Sequence, residues 1–236
     1  MSLVKSTNLD SIRALQAFWL GKGMHAYFIF YNRYQRESST CNLQDLTISA
    51  MRLAILATGS GSNAEKIMEH FAHSSKGVIA LVASNKADAG VLARAAKFGV
   101  PTFTFTRKEM DAGVLLAKLQ EEQIDWVILA GFLVKVPDEL IRAFPDRMVN
   151  IHPALLPNYG GKGMYGHYVH EAVKAAGDTE SGITIHLVNE HYDEGKIIFQ
   201  AATSLLPEDS AETIAAKVLA LEHRYFAGVI ESLLYV

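Results

Sequence analysis

Between Met51 and Ala130 the chain repeats one pattern, a short apolar run without polar alternation followed by a helix-length stretch. The runs are Met51-Arg-Leu-Ala-Ile-Leu-Ala57, Gly77-Val-Ile-Ala-Leu-Val-Ala83 and Asp125-Trp-Val-Ile-Leu-Ala130. A strand wetted on one side alternates apolar and polar residues, whereas a continuous apolar run suits a strand covered on both faces. The stretches Asn63–His73, Asp88–Phe98 (ended by Gly99 and Pro101) and about Lys108–Glu122 read as helices. The alternation β-α-β-α-β-α-β implies an α/β fold, a doubly wound, mostly parallel, Rossmann-like sheet with right-handed crossovers. A fifth strand, Arg147–Ile151, runs into a Pro- and Gly-rich loop, His152 to Gly166. Gly182–Val188 and Ile197–Leu205 alternate more and form a hairpin-like portion across the polar segment Asn189–Lys196. A long amphipathic helix, about Ala211 to Leu234, closes the chain. With 236 residues, 50% of them hydrophobic, this is enough for one domain spanning 51–236.

The first fifty residues do not join this pattern. Their aromatic run, Phe18-Trp19 and Tyr27 to Tyr31, is broken by Lys22, His25, Asn32 and Arg33. No uninterrupted apolar stretch reaches the roughly 20 residues of a membrane helix, and a signal peptide fits poorly. Acids are few before Glu37, which leaves a transit peptide as the minority reading. Residues 1–50 are taken as an extension outside the catalytic fold, with Met51 behaving like a start. A formal net charge of −3 and a pI near 6.3 supply no global field for nucleic acid or an anionic membrane. An anionic ligand must then be held by a local device. The single cysteine, Cys41, excludes a disulfide within the chain and points to a reducing, cytoplasmic setting.

Such a device follows the first strand. Thr58-Gly-Ser-Gly-Ser-Asn63 opens a helix, where free backbone N–H groups and the helix dipole attract an anion. An ordinary tight turn is the plainer alternative. The loose Gly-x-Gly-x-x-Ala pattern of residues 59–64 would suit a dinucleotide if an acid closed the second strand. That strand ends in Ala83-Ser-Asn-Lys86, so a nicotinamide cofactor is not expected, and no Walker lysine is present.

A second device ends the fifth strand, where open α/β sheets place their ligands. In Asn150-Ile-His152-Pro-Ala-Leu-Leu-Pro157 the amide and imidazole are two residues apart on an extended chain and share a side. Together they suit the oxyanion of a tetrahedral intermediate; a capped loop with a buried histidine is the alternative. Asp193, in the acidic turn His191-Tyr-Asp-Glu-Gly195, would raise the pKa of a nearby His152 and favour imidazolium. His167, His170, His186 and His191 match no standard zinc spacing, and no metal is expected.

Gly-Ser-Gly-Ser-Asn63, Ser84-Asn-Lys86, Leu129-Ala-Gly-Phe132, Asn150 to Pro157 and Asp193-Glu-Gly195 occur in this order. Taken together they resemble the folate-dependent phosphoribosylglycinamide formyltransferases, a branch of the formyltransferase family, over about 51–235. The resemblance implies transfer of the formyl group of 10-formyltetrahydrofolate to the amine of glycinamide ribonucleotide in de novo purine (IMP) biosynthesis. It assigns the ribonucleotide phosphate to Gly61, Ser62 and Asn63, and a substrate contact to Glu222. Asn150 and His152 match the catalytic pair, with Asp193 tuning the histidine. Phe132, Leu133, Val134, Lys135 and Val136 match the pterin-pocket stretch, Arg107 loosely matches a folate-contacting arginine, and Asn150 also faces the folate. Leu156-Pro157 is a candidate cis peptide by the same likeness. Two departures stand out. Gly160-Gly-Lys-Gly-Met-Tyr-Gly166 replaces a shorter loop, with Lys162 a candidate contact for the folate tail, and Val134 stands where some relatives have arginine.

Three other functions remain open. Methionyl-tRNA formyltransferase shares the Asn-x-His and Leu-Leu-Pro elements but normally adds a C-terminal tRNA domain, and this chain ends in a helix of the first. Formyltetrahydrofolate deformylase shares the catalytic residues but carries an N-terminal regulatory domain. A non-catalytic folate- or nucleotide-binding module would not need all of Asn150, His152 and Asp193. The expected partners are small molecules, not nucleic acid or a membrane, and the chain is expected to be a monomer or homodimer.

Overall fold

The computed structural model describes residues 50–234; the extension expected over 1–50 lies outside them, apart from Ala50. Seven strands form one sheet in the order β3-β2-β1-β4-β5-β6-β7. They are β1 (Met51–Leu56), β2 (Gly77–Ser84), β3 (Thr102–Thr104), β4 (Trp126–Leu129), β5 (Met148–His152), β6 (Glu180–Leu187) and β7 (Ile197–Ser204). Strands β1 to β5 pair in parallel, whereas β6 runs antiparallel to both β5 and β7. The helices are α1 (Ser62–Phe71), α2 (Gly90–Lys97), α3 (Arg107–Asp111), α4 (Val114–Glu121), α5 (Asp138–Ala143), α6 (His167–Ala176) and α7 (Ala211–Leu233).

The sheet explains why its strands lack alternation. In β1, Leu53 and Ile55 enter a core with residues of α1, α2 and α7, while Ala54 and Leu56 enter a second core with residues of α3, α4 and α5. Both faces are covered, so each position of the strand is paired with an apolar neighbour. The stretch expected as one helix over about Lys108–Glu122 is two. A capping box of Thr106 and Glu109 starts α3, and Gly113, at φ 81°, breaks the chain before α4. Helices α5 and α6 were not anticipated; α6 begins where the expected loop ends.

The order β2-β1-β4 places the switch of winding direction between β1 and β4. The loops leaving the carboxyl ends of these strands therefore diverge and open a crevice. Thr58 ties the two sides together. Its backbone N–H donates to the Gly131 carbonyl at 3.1 Å, and its hydroxyl accepts from the Leu133 N–H at 3.0 Å and donates to Asn85 at 2.8 Å. The loop after β5 is held by another buried hydroxyl. Thr184 Oγ1 donates to the Ala154 carbonyl at 2.7 Å and accepts from the Leu156 N–H at 3.0 Å, and the Leu156-Pro157 peptide is cis.

Replacing Thr184 with the isosteric valine leaves the Leu156 N–H and Ala154 carbonyl unpaired in a dry site. Urea unfolding should register a loss of about 1–3 kcal/mol; an unchanged midpoint and slope would mean that other groups take over these bonds.

Candidate active site

One cavity of about 750 Å³ occupies the crevice, a size suited to small-molecule ligands. Its lining brings together Asn63 and Glu222, the 131–136 loop, Asn150, His152 and Asp193, and Lys162 and Met164 of the glycine-rich loop.

Next to Asn63, the chain turns from β1 into α1 through Gly61, at φ 76°. A Cβ there would lie 2.5 Å from the Val91 side chain, so only glycine lets α1 start this close to α2. No side chain caps the start of α1, leaving first-turn N–H groups for an anion. Asn63 Nδ2 donates to Glu222 Oε2 at 2.6 Å, and Asn63 Oδ1 is buried without a partner. Glu222 lies in the inward stripe of α7, between Val218 and Phe226. Burial pushes its carboxyl up, and the Asn63 hydrogen bond opposes this. An acid in the i, i+4 apolar series Ile214, Val218, Glu222, Phe226, Ile230 is a signal available in the sequence alone.

The 131–136 loop supplies the apolar wall, with Val136 buried and Leu133 exposed. Lys135 reaches across to the ring of Tyr192, with Nζ 5.9 Å from its centroid. The structure does not bring every expected residue here. Gly61 and Ser62 adjoin Asn63 without lining the cavity. Arg107 is exposed on α3, and its Nε contacts both carboxylate oxygens of Asp111 at 2.9 and 2.8 Å.

Strand β5 carries Asn150 and His152 on one face, and the turn between β6 and β7 carries Asp193 back towards them. Asp193 Oδ2 is 3.6 Å from His152 Nδ1, and Oδ1 is 3.6 Å from His186 Nε2. Asp193 Oδ2 also accepts the Gly161 N–H at 2.9 Å. His152 Nε2 donates to the Tyr159 carbonyl at 2.8 Å, so this carbonyl must give way before Nε2 can serve a ligand. Burial pushes Asp193 up, but the His186 and His152 imidazoles and the Gly161 N–H outweigh it and hold the carboxyl below its usual range. His152 departs from expectation. Asp193 and the Tyr159 carbonyl do raise it, but burial is the larger effect and leaves it below the ordinary histidine value. The isolated imidazole is therefore mainly neutral at pH 7, and charges most readily when an anion develops beside it.

His186 and His170, noted in the sequence only as poor metal ligands, also line the cavity. His170 is 6% exposed, its Nδ1 has no partner, and burial, then the charges of His152 and His167, lower its pKa. Among the described residues no group of three or more His, Cys, Asp or Glu side chains is arranged to hold a metal. No helix of the described residues is long and apolar enough to cross a membrane.

Residues 51–230 match the family model described as formyl transferase. Over 186 residues the chain is 42% identical to a chloroplastic phosphoribosylglycinamide formyltransferase of Arabidopsis thaliana, covering 76% of this chain and 64% of that one. It thus spans just under two thirds of this plant relative. It is 36% identical to the phosphoribosylglycinamide formyltransferase of Haemophilus influenzae, covering 76% of this chain and 85% of that one. Among solved structures, the phosphoribosylglycinamide formyltransferase of Anaplasma phagocytophilum superposes with a TM-score of 0.73 at 36% identity, covering 78% of this chain and 87% of that one.

The lowered histidines have a consequence for stability. Near the ordinary value of about 6.5 the unfolded chain binds protons that His152 and His170 refuse in the fold, so stability falls as pH drops below about 6.5. It levels off once the folded groups charge. His170→Gln removes one of these groups, and the loss of Tm between about pH 7 and 5 should shrink. An identical loss in the variant would place the pH dependence elsewhere.

Proposed function

Since the chain belongs to the formyl transferase family, we propose that it transfers the formyl group of 10-formyltetrahydrofolate to the amine of glycinamide ribonucleotide. The observation that carries this reading is one cavity lined together by the Asn63 and Glu222 pair, the 131–136 loop and the Asn150, His152 and Asp193 cluster. The uncapped start of α1 with Asn63 and Glu222 suits a ribose phosphate, its phosphate on the N–H groups and its hydroxyls on the carboxylate. The 131–136 loop, with Phe132 to Val136, suits a flat heteroaromatic ring held through backbone groups and apolar side chains. Lys162 and Lys135, which line the same cavity, suit the carboxylates of a folate tail. The names of the plant and bacterial relatives agree with this acceptor.

The two substrates meet at this cluster. The neutral amine adds to the formyl carbon, and its carbonyl oxygen becomes an oxyanion facing Asn150 Nδ2 and His152 Nε2. As negative charge develops, the imidazole binds a proton or strengthens its hydrogen bond, with Asp193 stabilising the cation through Nδ1. The tetrahedral intermediate collapses when the amine loses a proton and the folate nitrogen gains one, regenerating the carbonyl in the product amide. A water held near Asp193 can carry that proton. Positioning two substrates in one closed space supplies much of the remaining rate. No metal or covalent enzyme intermediate is required. A cytoplasmic reaction accompanies this reading, although the plant relatives are named chloroplastic.

Purified protein given 10-formyltetrahydrofolate should lose formyl absorbance only when glycinamide ribonucleotide is added. Equal loss without the ribonucleotide would make water the acceptor and replace transfer by deformylation. Asn150→Ala should lower kcat by roughly 10²–10³-fold, the usual cost of one oxyanion donor; a near-normal rate would remove Asn150 from the chemistry.

A further inference from the structure

Asn150 can stabilise an oxyanion only if its amide nitrogen, not its oxygen, faces the reacting carbonyl. The two ends of a carboxamide have nearly the same size and exchange by a half-turn about the last side-chain bond. Packing alone does not choose between them. We infer that His186 makes the choice, as a positioning residue that holds Asn150 Nδ2 towards the cavity by accepting one of its hydrogens.

The arrangement begins in the sheet. Asn150 on β5 and His186 on β6 are direct partners in the antiparallel ladder, so their side chains project side by side from one face. His186 is 2% exposed. Its Nδ1 lies 2.8 Å from the Leu187 carbonyl. A carbonyl oxygen only accepts, so Nδ1 carries a proton. Its Nε2 lies 3.1 Å from Asn150 Nδ2. That nitrogen only donates, so Nε2 is the bare acceptor and the ring is neutral. One amide hydrogen is then committed to His186, and the second is free for a ligand oxygen.

Charge balance supports the same state. The charged and titratable groups facing the ring are Asp193, whose Oδ1 lies 3.6 Å from Nε2, and His152 on the other side of that carboxylate. A single carboxylate serves the imidazolium of His152 during transfer, and a second buried cation beside it would be uncompensated. The Leu187 carbonyl is itself held by the turn that brings Asp193 back. A Cβ on Gly195 would lie 1.7 Å from that oxygen and 3.4 Å from His186 Nδ1. Only glycine lets the turn close over the histidine.

The inference rests on the transferase reading for its effect on rate, but not for its geometry, and two measurements separate the two. Long-range proton–nitrogen NMR of the full chain at neutral pH should reveal one imidazole protonated at Nδ1 and bare at Nε2, absent from His186→Leu. The Asn150 side-chain amide signals should also move in that variant. Protonation of Nε2 at neutral pH would overturn the inference whatever the acceptor proves to be. In the transfer assay, His186→Leu should lower kcat roughly 10-fold or more, within the roughly 10²–10³-fold cost of losing one oxyanion donor, with KM for both substrates little changed. His186→Gln, which keeps an acceptor oxygen, should recover part of the loss. In an Asn150→Ala background His186→Leu should cost no further rate, because it acts through the amide that is gone. An equal cost in both backgrounds would overturn the positioning role, and matching Tm values for the Leu and Gln variants separate it from a folding defect. Failure of the wild-type chain to formylate glycinamide ribonucleotide would count against the acceptor alone.

Discussion

The carboxylate of Asp193 is the contact on which the rest of the site depends. It is largely withdrawn from water, a costly place for a charge unless its neighbours compensate. The Gly161 N–H donates to it, and the His152 and His186 rings lie beside it at 3.6 Å. Each belongs to a different piece of chain, so one charge registers β5, β6 and the glycine-rich loop against one another. The backbone bears part of the cost, since Asp193 sits at φ 58°, a left-handed conformation that aspartate tolerates better than most side chains. The loop is tied a second time through the Tyr159 carbonyl, which accepts from His152, and the Tyr159 hydroxyl, which donates to Asp178 at 2.6 Å. Movement of that loop and availability of the His152 proton are thus one event.

The parallel half of the sheet sets where this happens. Reversal of winding between β1 and β4 opens a crevice at their carboxyl ends, and Thr58 keeps its two rims at fixed spacing. The antiparallel pair β6 and β7 extends the sheet beyond β5 and returns the acidic turn to the crevice. The opposed effects on His152, burial against a carboxylate, leave an imidazole that is neutral at rest and best stabilised as a cation when an anion forms next to it.

What the sequence made legible follows the range of the interactions that encode it. Leu53 to Leu56 advertise a doubly covered strand because each residue meets an apolar layer, a local pattern. Gly61 and the Asn-Ile-His152 spacing are equally local. Strand β3, only Thr102–Thr104, carries no apolar run and is held by pairing with β2. The break at Gly113 was hidden because Lys108–Glu122 remains apolar at helical spacing on both sides of it. Cross-strand facts were the least accessible. Nothing near Asn150 in the chain reveals that His186 lies opposite it, and a longer stretch of sequence still separates His152 from Asp193. Resemblance alone supplied Glu222 and Arg107, and Arg107 lies against Asp111 on its own helix.

The central claim is that Asp193 supports chemistry and not merely binding. The most direct test is single-turnover transfer by Asp193→Asn, alongside its Kd for glycinamide ribonucleotide and its Tm. The account predicts a rate lowered by roughly 10²-fold or more, with ribonucleotide affinity nearly intact because Asn63 and Glu222 are untouched. A variant that still folds and transfers within a fewfold of the wild-type rate would contradict it.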